Sequence, residues 1–91
     1  MIAAEVKRII ESALSESQVV IRDFTGSGDH LEVNVIWPGF AGMTRVKQHQ
    51  HVYAIVQHLV GDGRPVHALT MKTWAQEPEE LARPADAYFG G

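Results

Sequence analysis

Ninety-one residues, 45% of them apolar, make one small globular domain and leave no room for a second. The absence of cysteine excludes a disulfide and thiol chemistry, and permits a reducing compartment. The net charge of −3 is unevenly laid out: residues 1–39 and 73–91 are each net −3, and residues 40–72 carry Arg45, Lys47, Arg64 and Lys72 against Asp62 alone.

That basic middle suits an anionic partner or phosphate; ordinary solvated surface is the competing reading. Met1 to Glu5 lack the basic region and apolar core of a signal peptide. No apolar run approaches the roughly 20 residues that span a bilayer, so a soluble cytoplasmic protein with no membrane contact is expected.

Ile2, Val6, Ile9, Ile10 and Ala13 recur at helical spacing and predict a helix over residues 2–14, with Glu5, Lys7, Arg8 and Glu11 on its wet face. The β-branched run 19–24 predicts a strand. Residues 25–29, with two glycines, predict a turn. From His30 to Trp37 the chain alternates: Leu31, Val33, Val35 and Trp37 face one way, and His30, Glu32 and Asn34 the other. This predicts a half-buried strand hairpinned antiparallel to the first. Pro38-Gly39 ends it.

Thr44 is placed to cap a long helix running to about Val60. Its apolar face is Val46, Val52, Tyr53, Val56, Leu59 and Val60, and Gly61-Asp62-Gly63 stops it. A third strand is expected from Val66 to Trp74, lying beside the first. Pro78 suits the start of a short acidic helix over residues 79–83, and 84–91 reads as a flexible tail behind a single domain of residues 1–83. The order α-β-β-α-β(-α) is an α+β sandwich: one three-stranded sheet with the helices on one face, and one core holding Ile9, Leu31, Val33, Val35, Val52, Tyr53, Val56 and Leu69.

Five histidines are the candidates for chemistry. His49 falls in the apolar stripe of the long helix, where a buried, hydrogen-bonded imidazole is the expectation. His51 and His58 lie on its wet face, two turns apart, too far to grip one metal ion. His67 opens the third strand after Gly63-Arg64-Pro65; on residues alone it is either a ligand or a half-buried neighbour of Leu69 and Met71. No Gly-x-Ser-x-Gly, phosphate-binding loop or His-Glu-x-x-His is present, so no enzyme is expected. Gly39-Phe40-Ala41-Gly42 spells the G-x-x-G of a KH loop, but its inner residues are apolar and Phe40 is expected to plug the core.

Phe40, Gly42, Val46, His49, Val52, Tyr53, His67, Ala68, Leu69 and Thr73, together with the segment Asp29-His30-Leu31-Glu32-Val33, resemble the BolA family in order and spacing from about residue 5 to residue 81. The resemblance implies a fold similar to type II KH domains. It also implies a non-catalytic partner of a monothiol glutaredoxin with glutathione, sharing a [2Fe–2S] cluster in iron–sulfur handling or iron and redox regulation. The histidine of the His-Ala-Leu segment, here His67, is then a cluster ligand. The family's second ligand, a Cys or His between the first two strands, falls near Ser27, which cannot serve well; His30 is the substitute candidate, against a surface histidine closing the hairpin. The chain alone is then a monomer or weak homodimer without a cofactor. A KH-like, DNA-binding transcriptional regulator is the alternative, with Arg45, Lys47 and Lys72 touching phosphates. Gln48-His49-Gln50 replaces the Arg-His-Arg of many family members, which lowers the positive charge such a role would use.

Overall fold

The structure is a computed structural model that describes residues 2–24, 30–76 and 78. The elements run α1 (Ile2–Ala13), β1 (Gln18–Asp23), β2 (His30–Ile36), a 3-10 turn (Pro38–Phe40), α2 (Arg45–Val56), a second 3-10 turn (Gln57–Leu59) and β3 (Ala68–Trp74). The turn at 25–29, the helix expected at 79–83 and the tail lie outside the described residues. Among the described residues no helix is long and apolar enough to cross a membrane.

The fold is the expected α+β sandwich. Val19 and Ile21 of β1 and Leu31, Val33 and Val35 of β2 meet Val6 and Ile10 of α1 and Val52 and Val56 of α2 in one core, which Leu14, Phe40 and Val66 complete. Ile9 and Leu69 pack against it half-buried. Phe40 is buried, so the G-x-x-G loop points its largest side chain inward rather than at a ligand. Gly39 lies against the Trp37 indole: a Cβ there would come within 2.5 Å of the ring, which leaves room for glycine alone.

The strand order is β1-β2-β3, and β3 runs parallel to β2, not beside β1 as expected. β1 occupies one edge of β2 and β3 takes the other, so β2 is the central strand; with a neighbour on each side, Glu32 and Asn34, on the face away from the helices, are buried rather than half-solvated. α2 supplies the long crossover that a parallel neighbour requires. Asn34 and Glu32 find partners on that second face. The Asn34 amide donates to Val20 O at 3.2 Å and to Glu32 Oε2 at 3.2 Å, and Arg22 and Lys72 approach the Glu32 carboxylate at 3.5 and 3.4 Å.

Thr44 caps α2 as expected: its hydroxyl accepts from the Lys47 N–H at 3.2 Å. The helix ends at Val56 rather than near Val60, because Val60 turns extended to bridge Val66. Val46 and Tyr53 were placed in the core from their spacing and are exposed instead. The buried stripe of α2 is narrow, Val52 and Val56, because the helix covers only the β3 side of a small sheet and touches α1 on its flank. In α1 the last buried residue is Leu14, just past the helix end, and Ala13 is exposed.

Gln48 ties three elements together. Its amide donates to Phe40 O at 3.3 Å and Met43 O at 3.0 Å, and its carbonyl accepts from the Thr73 hydroxyl at 2.6 Å. At the other edge the Glu11 carboxylate of α1 accepts from the Val19 N–H at 3.2 Å, and Lys7 donates to Val19 O at 3.0 Å, so α1 covers part of the β1 edge.

Candidate functional site

The parallel pairing sets His30 opposite Ala68, so the two strands start at the same end of the sheet. His67 is the residue before Ala68. The register therefore brings two imidazoles together from distant parts of the chain: their ring centroids are 5.7 Å apart, tilted by 50°. Both residues are exposed. His67 lies just outside β3, which begins one residue later, and it is not the half-buried neighbour of Leu69 and Met71 that one reading allowed. Phe24, one residue beyond β1, is 69% exposed at this same end, where Asp23 pairs with Leu31.

A closed loop presents His67. Gly61 N–H donates to Val66 O at 2.8 Å, Val66 N–H donates to Leu59 O at 2.9 Å, and the Arg64 guanidinium reaches back to His58 O at 2.7 Å. Gly61 and Gly63 take φ of 129° and 75°, which only glycine adopts without strain, so the turn depends on both. Between them Asp62 places Oδ1 3.5 Å from His67 Nδ1. Sequence reasoning missed Asp62 as a site residue. The signal was its position, five residues ahead of His67 in a glycine-flanked turn that folds back on itself.

The other histidines do not join this pair. His49 is half-buried, and its Nε2 is buried with no hydrogen-bond partner among the described residues, contrary to the expectation of a satisfied core imidazole. His51 is exposed as expected, yet it stacks on Trp37 with ring centroids 5.5 Å apart, while the Trp37 indole N–H donates to Ser15 O. His58 is exposed. Among the described residues no group of three or more His, Cys, Asp or Glu side chains is arranged to hold a metal ion alone.

The three bases named for nucleic acid do not form one patch. Arg45 and Lys47 are exposed on the first turn of α2. Lys72 pairs in register with Asn34 and reaches Glu32, so it belongs to the sheet face turned away from the helices.

Comparison with known proteins bears on what such a site is for. A family model described as BolA-like protein matches residues 3–78. The chain is 34% identical over 79 residues to the acid stress protein IbaG of Escherichia coli, covering 87% of each. It superposes on a BolA protein homologue from Coxiella burnetii with a TM-score of 0.65 at 33% identity, covering 88% of this chain and 95% of the other. It also superposes on BolA1 from Arabidopsis thaliana with a TM-score of 0.71 at 24% identity, covering 84% and 95%, a likeness of fold.

Proposed function

Because this chain belongs to the BolA-like family, we propose that it is a non-catalytic partner of a monothiol glutaredoxin, lending His67 and His30 to a [2Fe–2S] cluster in iron–sulfur handling or iron regulation. The observation that carries this reading is the 5.7 Å spacing of the two exposed imidazoles at one end of the sheet. Two imidazoles that each bind one metal ion at about 2 Å hold their centroids roughly 5–6 Å apart. The residues present therefore fit a shared metal centre.

Ligand counting supports the need for a partner. Such a cluster takes four ligands, and histidine pairs replace cysteine pairs on one iron in some clusters. This chain has no cysteine, so thiolates must come from elsewhere. A monothiol glutaredoxin with glutathione brings them, and exposed Phe24 offers apolar surface beside the imidazoles for its docking. When bound, the cluster supplies the redox and transfer chemistry; His67 and His30 hold and orient it.

The test is to mix the protein with cluster-loaded monothiol glutaredoxin and record visible absorption and circular dichroism. Wild type should change both. His67→Ala should abolish the change while the fold survives, since His67 is exposed, and His30→Ala should weaken it. Unaltered spectra of the complex with His67→Ala would sink the assignment. DNA binding as a KH-like transcriptional regulator is the weaker reading, because Phe40 fills the loop and Lys72 faces away from Arg45 and Lys47.

A further inference from the structure

We propose that Asp62 is the positioning residue of this site: it holds the proton of neutral His67 on Nδ1 and so presents the Nε2 lone pair as the donor. The inference rests on the reading of His67 as a cluster ligand. Its physical basis is separate. A neutral imidazole carries one N–H and one lone pair, and the nitrogen that faces a carboxylate is the one that keeps the hydrogen. Asp62 Oδ1 stands 3.5 Å from His67 Nδ1, longer than an ordinary hydrogen bond but close enough for the carboxylate's charge to act on that nitrogen.

The Asp62 side chain is 97% exposed and that of His67 56% exposed, so the pair adds little to stability. Its effect is directional. The loop that joins them is closed by the Gly61–Val66 and Val66–Leu59 backbone bonds, and Arg64 N–H donates to Gly61 O at 3.1 Å inside it. Both side chains are thus carried on one pinned turn, and the carboxylate meets the ring from the Nδ1 side. Carboxylates placed behind metal-binding imidazoles fix tautomer and ring orientation in the same way. Nothing in this arrangement requires the cluster to be present.

The tautomer of His67 is read directly from two-bond nitrogen–proton correlations of the imidazole in the partner-free protein. In wild type the ratio of Nδ1–H to Nε2–H should exceed that of a free histidine. In Asp62→Ala the ratio of Nδ1–H to Nε2–H should fall about threefold, the scale of an exposed contact. Asp62→Asn, whose side-chain oxygen still accepts, should lie between. In the second measurement, affinity for cluster-loaded glutaredoxin should fall about tenfold in Asp62→Ala, the lower end of such outer-shell effects. A wild type with no more Nδ1–H than a free histidine, or a ratio indifferent to Asp62, overturns the proposal. If His67→Ala abolishes the spectra of the complex while Asp62→Ala changes neither ratio nor affinity, the ligand reading stands and the role of Asp62 falls. If His67→Ala leaves those spectra unaltered, the ligand reading fails and takes the role of Asp62 toward the cluster with it, even where the tautomer ratio moves.

Discussion

His49 has a buried Nε2 with no partner among the described residues, so its polarity adds nothing to the fold there. Replacing an unsatisfied polar group by an apolar one of similar shape is commonly neutral or stabilising. His49→Leu is therefore expected to leave the unfolding midpoint in urea unchanged or raise it; a loss of more than about 1 kcal/mol would show a hidden role for the ring. Gln48 is the opposite case, because it serves two backbone carbonyls and the Thr73 hydroxyl. Gln48→Ala should cost about 1–3 kcal/mol, measured by the same denaturation, with Thr73 left buried and unpaired. Neither outcome was legible in the sequence. Periodicity placed His49 on an inward face, but whether an acceptor lies opposite depends on the neighbouring strand. Phe40, by contrast, was legible as a core residue because an apolar side chain between two glycines has few other uses.

At the level of elements, α1, the antiparallel β1–β2 pair and the Thr44 cap follow from local pattern, since each is decided by residues close in sequence. The phase of α2 does not. Val46 and Tyr53 are apolar at helical spacing, yet the sheet beneath is too narrow to reach them, and only Val52 and Val56 are buried. Val56→Asp places an unpaired charge where the residue is fully buried, and should cost several kcal/mol, enough to leave little folded protein by circular dichroism. Tyr53→Asp should cost under about 1 kcal/mol, as exposed substitutions do. A Tyr53→Asp variant as damaged as Val56→Asp would contradict the helix phase. The place of β3 was illegible for a related reason. The β1–β2 hairpin has two open edges and the local pattern does not choose between them; the burial of Glu32 and Asn34 arises only once Arg22 and Lys72 are placed around them. The family resemblance named His67, and His30 entered only as a substitute for a ligand position that falls near Ser27; the register brings the two side by side.

Across the whole molecule the sheet separates two sets of cations. Arg45 and Lys47 stand on the helix layer, and Lys72 on the opposite face with Glu32 as its neighbour. Any binding to duplex DNA should then be weak and electrostatic, with a slope of about −0.9 in log affinity against log salt for each phosphate neutralised. Removing Arg45 and Lys47 together should flatten that slope by about 2, and Lys72→Ala should leave it nearly unchanged; an equal effect of all three would show a surface that wraps both faces. The two imidazoles carry a consequence of a different kind. They are 37 positions apart, and their meeting depends on the parallel seam between β2 and β3. A seam that links distant stretches closes late in folding, after the local helix and hairpin have formed. His30 is made 37 residues before His67, so a truncated chain lacks the second ring and a half-folded chain holds the two apart. The paired site is in effect a certificate of completion: a partner that requires both rings accepts finished molecules and passes over unfinished ones.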